Sequence, residues 1–189
     1  MVRQRVVLDI DGVLAEFNES FRLVLQKRVG AKMKELGEGP SCWDWPVEYG
    51  ATQAEYDQAW KYVEFNPEWW GDLSVHKDIA DHTPLVAEVC LRHEVTFVTS
   101  RPNGRAATLR WLARNFDADG IPCIITPHVK IPALVGLSPN IIVEDKAVSR
   151  NKAEVVKSIA IAFMDQYDGE EANPTYEQLD TIFKTETTQ

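Results

Sequence analysis

Four short apolar runs set the tightest limit on what this chain can fold into: Val6 to Ile10, Val95 to Thr99, Cys123 to Thr126 and Ile141 to Val143. They read as buried parallel strands. A fifth run, Ile159 to Met164, extends the series. Helical spacing fills the gaps. Ala106, Leu109, Leu112 and Phe116 recur at that spacing after the second run, and Val155, Val156 and Ile159 lie between the fourth and fifth. Strands alternating with helices predict an α/β fold, a doubly wound Rossmann-like parallel sheet. Ligands of such sheets gather at the carboxyl ends of the strands.

Residues 16 to about 75 break the alternation and contain no good strand. Phe21, Leu25, Val29, Met33 and Leu36 fit one helix face, with Gly37 to Pro40 as its end. Thr52 and Glu55 form a capping box for a second helix carrying Tyr56, Trp60 and Val63. The segment reads as a small helical cap inserted directly after the first strand. It holds five of the six tryptophans, Trp43, Trp45, Trp60, Trp69 and Trp70. The division predicted is a core of residues 1–15 and 78–189 with a cap of residues 16–77. The last residues, from Lys184, read as a frayed tail.

Each of these runs delivers a reactive group near its carboxyl end. The first gives Asp9 and Asp11, with Gly12 turning the chain back around one point. Two carboxylates crowded there repel by roughly 4 kcal/mol at about 4 Å if the effective dielectric is about 20. A divalent cation with oxygen ligands is the simplest reason to place them together, and a solvated acidic turn is the plain alternative. The second run gives Thr99, Ser100 and Arg101, and the fourth gives Glu144 and Asp145. After the third comes Lys130, at the start of a short helical pattern. Acids, a hydroxyl and a lysine around one crevice are the parts for magnesium-assisted phosphoryl transfer through an aspartyl-phosphate.

Together, Asp9-Ile10-Asp11-Gly12-Val13-Leu14-Ala15, Val98-Thr99-Ser100-Arg101-Pro102, Lys130 and Ile142-Val143-Glu144-Asp145 resemble the haloacid dehalogenase (HAD) superfamily of phosphohydrolases in order and spacing. The resemblance implies that Asp9 is the nucleophile and a Mg2+ ligand. Asp11 would be the general acid/base, with its backbone carbonyl on the metal. Thr99 would bind phosphate, and Lys130 would hold phosphate and Asp9 together, although Lys146 and Lys152 are also available. Asp145 would complete the metal site, with Glu144 a direct or water-mediated ligand. Ser100 and Arg101 join the substrate-binding candidates, and Arg101 could equally pair with an acid or cap a helix. Glu144 in place of a second aspartate departs from the commonest nucleotidase pattern and occurs in sugar-phosphate mutase-like relatives.

Within the superfamily, Phe17 after the first motif, the Thr99-Ser100 pair and the Trp-rich cap look most like the 5'(3')-deoxyribonucleotidases. The resemblance implies a nucleoside monophosphate substrate. Aromatic faces stack on bases for roughly 1–3 kcal/mol each, and Trp43, Trp45, Tyr62, Phe65, Trp69 and Trp70 are the candidates. The same aromatics would also serve to fill a small core. A sugar phosphate is the alternative substrate. A phospho-accepting signalling domain is the alternative class, disfavoured by the position of the paired acids on the first strand.

Composition narrows the partners. A formal net charge of -9 argues against polymeric nucleic acid, which needs an excess of Lys and Arg. A small phosphorylated substrate needs only a local positive site. Cys42, Cys90 and Cys123 form no close-spaced pair, which fits reduced thiols and a cytoplasmic location. Asp9 and Asp11 interrupt the first apolar run, so it is expected to be neither a signal peptide nor a membrane span. His76, His82, His93 and His128 lack metal-ligand spacing and read as surface or core residues.

Overall fold

The computed structural model describes residues 3–36, 45–77, 79–126 and 130–144, and the backbone of residues 159–162. Its frame is a parallel sheet of five strands: β1 (Arg5–Leu8), β2 (Glu94–Thr99), β3 (Cys123–Ile125), β4 (Ile141–Glu144) and β5 (Ile159–Ala162). The order across the sheet is β3-β2-β1-β4-β5, so it grows outward from β1 in both directions. Each predicted strand is present, shifted by a residue or two. β1 stops at Leu8 because Asp9 and Ile10 already belong to the loop that follows.

Side chains alternate across the sheet as a two-residue repeat demands. Val6, Leu8, Val95, Phe97, Ile141 and Val143 face one core. Val7, Val98 and Ile142 face the other, against Leu134 of α6 (Ile131–Leu137). The first core continues into α4 (Thr83–Arg92) through Val86 and Val89, and into α5 (Arg105–Phe116) through Leu112 and Phe116. Burying one such side chain contributes about 1.5–3 kcal/mol, so the face shared by the most elements carries most of the stability.

Between β1 and α4 the chain makes its helical insertion. α1 (Phe17–Val24) runs into a π-helical turn at Leu25–Val29, followed by α2 (Trp45–Glu48), α3 (Gln53–Phe65) and a 3-10 turn at Pro67–Gly71. The Thr52–Glu55 capping box of α3 forms as expected. The first insertion helix does not reach Leu36. Gly30 adopts a left-handed φ of 85° and ends it, with the Ala31 amide closing on the Leu25 carbonyl at 3.0 Å. Met33 and Leu36 still pack against the core, which is why the apolar spacing imitates a longer helix. The expected end at Gly37 to Pro40 lies outside the described residues, as do Val155, Val156 and the tail from Lys184.

The insertion leaves and rejoins the sheet at one place. Ala15 and Val75 form an antiparallel bridge. The Glu16 amide donates to Ser74 at 3.0 Å, and the His76 amide donates to Leu14 at 2.8 Å. Among the described residues, no helix is long and apolar enough to cross a membrane.

Candidate active site

The site forms where β1, β2 and β4 end together. The parallel register pairs Leu8 with both Phe97 and Val143, so the residues after them emerge along one edge. Beyond β1 the backbone wraps around the Ile10 carbonyl, which accepts from the amides of Val13, Leu14 and Ala15 at 3.3, 2.8 and 2.8 Å. Gly12 permits this turn with φ 78°, a left-handed value that side chains disfavour. Asp9 and Asp11 are thereby held on one tight loop.

Asp9 is buried, at 2% exposure. Its amide donates to Val143 at 3.0 Å and its Oδ1 accepts from the Ile10 amide at 2.7 Å. Its Oδ2 forms an ion pair with Lys130 Nζ. Lys130, at the start of α6, also donates to both oxygens of Glu144 at 3.0 Å each. Two buried carboxylates thus share one ammonium. Burial is the main cause of a carboxyl pKa well above the usual range at Asp9. The charge of Glu144 adds to it, Lys130 works against it, and a hydrogen bond with Glu144 and the charge of Asp11 raise it further.

Asp11 meets different partners. Thr99 Oγ1 donates to its Oδ2 at 3.0 Å. Arg101 Nε lies 3.1 and 3.0 Å from Oδ1 and Oδ2, and Nη2 donates to Oδ1 at 2.8 Å. Arg101 is fully buried and faces Asp11, the acid pairing among its sequence alternatives. Ser100 Oγ lies 3.0 Å from Thr126 Oγ1, so its hydroxyl ties β2 to the end of β3. Asp145 lies outside the described residues, as do Lys146, Lys152 and His128.

The pair of buried acids beside Lys130 is the ground on which a metal can be placed. Asp9 and Glu144 supply hard oxygen donors side by side at the strand ends, and that donor set fits Mg2+. Among the described residues, no group of three His, Cys, Asp or Glu side chains already stands in metal-binding geometry. His76 and His93 are buried and His82 is exposed. Cys90 and Cys123 are free thiols, and burial pushes Cys90 up to about 11.

The aromatic residues of the insertion divide by burial. Trp45 and Trp70 are core, Tyr62 and Trp69 are half-buried, and Phe65 is exposed. Trp43 lies outside the described residues. A cleft of about 10 Å³, room for about one water, is lined by Phe17, Asn18, Phe21, Trp45, Pro46, Tyr56 and Trp60. Among its lining rings, Phe21 and Trp60 have centroids 4.9 Å apart. Sequence spacing puts Phe17 after the first motif and Phe21, Tyr56 and Trp60 on helix faces, without joining them. It does not reach the surroundings of Arg101 either. Thr108 and Trp111 face that guanidinium from α5, where the expected stripe has Ala106 and Leu109. Ala106 and Leu109 are exposed, because the buried stripe is turned to Ala107, Thr108, Trp111, Leu112 and Phe116. The available signal is Trp111 itself, the one tryptophan outside the insertion.

No family model and no curated protein matches the chain. Solved structures do match. CbbY from Rhodobacter sphaeroides, in complex with phosphate, is 15% identical with a TM-score of 0.56 and covers 95% of this chain and 100% of its own. A mutant of the same CbbY in complex with xylulose-(1,5)-bisphosphate gives 14%, 0.55, 93% and 96%. A haloacid dehalogenase-like protein from Agrobacterium tumefaciens gives 12%, 0.60, 98% and 100%.

Proposed function

We propose, on the premise of a HAD-like fold, that this chain is a magnesium-dependent phosphatase acting on a small phosphate monoester. The convergence of Asp9, Asp11, Thr99, Lys130 and Glu144 at one edge of that fold carries the reading. An Asp9 oxygen attacks phosphorus, the bond to the ester oxygen breaks, and Asp11 protonates the departing alcohol. Water then attacks the aspartyl-phosphate while Asp11 takes its proton, which frees phosphate and restores the Asp9 carboxylate. Thr99 and Lys130 would bind phosphate oxygens. Lys130 also opposes the burial that disfavours ionised Asp9. Asp9, Glu144 and the Asp11 carbonyl would hold Mg2+, with Asp145 as a further ligand. When bound, the ion supplies positive charge for the phosphate oxygens.

For the leaving group we favour a nucleoside monophosphate, as in the 5'(3')-deoxyribonucleotidases. The aromatic rings of the insertion, with Phe17 on the chain leaving the site stacked on Trp60, are the ground for it. The cleft holds about one water, so a base would enter only as the insertion opens. A sugar phosphate is the second reading, supported by the CbbY structure with xylulose-(1,5)-bisphosphate. The free thiols of Cys90 and Cys123 accord with a reducing, cytoplasmic setting.

Phosphate release from nucleoside monophosphates and sugar phosphates, with magnesium and with chelator, tests the reading. Magnesium-dependent release from nucleotides supports both chemistry and substrate. Release from sugar phosphates alone keeps the chemistry and replaces the substrate. A stable phosphoprotein without turnover favours the phospho-accepting class.

A further inference from the structure

Among the described residues, Arg101 is the largest charged side chain with no exposed surface. Its guanidinium is divided between two tasks. Nε and Nη2 grip the Asp11 carboxylate, which leaves Nη1 pointing elsewhere. Nη1 donates to Thr108 Oγ1 of α5 at 3.2 Å and to the Trp70 carbonyl of the insertion at 3.5 Å. The same guanidinium lies over the rings of Trp70 and Trp111, with centroids at 5.2 and 5.6 Å. Those rings are themselves fixed. Trp111 Nε1 donates to the Leu73 carbonyl at 2.6 Å, and Trp70 packs against the backbone of Gly104. Arg114 adds a bond to the Gly71 carbonyl at 2.7 Å.

We propose that Arg101 is a positioning residue that fixes the direction of the Asp11 carboxylate, and that Trp70, Thr108 and Trp111 fix Arg101 in turn. This rests on Asp11 being the acid/base of the proposed reaction. A planar fork bonded to both carboxylate oxygens removes rotation about the Asp11 side chain. A carboxylate that must reach first the ester oxygen and then a water gains from being held on one line. Arg101 itself is fully buried and spends its donors on the protein, so it does not act on substrate. The end of the insertion, Pro67–Gly71, thereby becomes part of the support of the acid/base rather than only a cover.

The test compares kcat/KM for two esters in the presence of magnesium. p-Nitrophenyl phosphate releases an anion that needs little protonation; glycerol 2-phosphate releases an alkoxide that needs a proton. Arg101→Lys keeps the charge and loses the fork. It should lower kcat/KM for glycerol 2-phosphate by about 10²-fold, and for p-nitrophenyl phosphate by only a few-fold. Thr108→Val, a milder change that leaves the Asp11 pair in place, should show the same split at about tenfold or less. Equal losses on both esters, or no loss on either, in whichever variant is folded by thermal unfolding, overturn the positioning role while leaving the phosphatase reading intact. If the wild-type protein releases phosphate from neither of these esters and from no nucleoside monophosphate or sugar phosphate, the phosphatase reading fails and the inference falls with it.

Discussion

The two carboxylates of Asp9-Ile10-Asp11 sit on one turn and in opposite surroundings. On the β4 side, Asp9 and Glu144 share Lys130, so two buried acids meet one described cation. On the β2 side, Asp11 has a guanidinium of its own and a hydroxyl besides. The first arrangement gathers two buried acids around one ammonium, and on the proposed reading a hard cation and a phosphate would settle there. The second leaves a carboxylate balanced in charge and fixed in direction. A shared motif places both groups, and side chains arriving from later strands make them different.

The largest effect should come from Asp9→Asn. On the proposed reading it removes the nucleophile, and turnover should fall by about 10⁴-fold or more for every ester. Phosphate release measures it, and near-normal activity breaks the comparison at once. Asp11→Asn should cost about 10²–10⁴-fold, more for poor leaving groups than for good ones. Identical leaving-group profiles for the two variants would show the acids to be equivalent.

Lys130→Met should leave Asp9 and Glu144 buried without their described cation and destabilise the fold by about 3 kcal/mol, read from the denaturant midpoint. The pH dependence sharpens the same side. Asp9 has a folded pKa above its unfolded value, so its contribution to stability is complete below the unfolded pKa. That contribution is lost as pH rises through the folded one. In chelator, Asp9→Asn should therefore melt higher than wild type at neutral pH, with the gap closing as pH falls. An unchanged gap would show that Asp9 is not the strained group.

On the β2 side, Gly104→Ala would place a methyl 2.4 Å from Trp70 Cδ1. The overpacking should cost about 1–3 kcal/mol, read from the same denaturant midpoint. The smallest effect belongs far from both acids. Thr52→Ala removes the cap of α3 and should cost about 1 kcal/mol with kcat unchanged.

The sheet was legible because each strand is a short apolar run, and parallel pairing brings run ends to one edge. Asp9, Thr99 and Glu144 follow from that rule alone. Lys130 was reachable through the helical pattern beginning at Ile131. The partners of Asp11 were not reachable to the same degree. Nothing in the spacing of Arg101 says whether it points at substrate or at an acid, since that depends on what stands beside it in space. Trp70 and Trp111 stand there, from segments far apart in the chain. The insertion hid more. A left-handed Gly30 ended a helix whose apolar spacing ran on, and the rings of Phe17, Phe21 and Trp60 became neighbours through packing that the order of residues does not encode.

The paired crossing at Leu14–Glu16 and Ser74–His76 has a consequence for how such a chain can change over generations. Because the insertion departs and returns through neighbouring backbones, its length and content can be exchanged without altering the distance that β1 and β2 must span. The segment Pro67–Gly71 resists exchange, since it leans on α5 and on Arg101. A graft that replaced residues 17–66 and kept that heel would meet a platform already built to receive it.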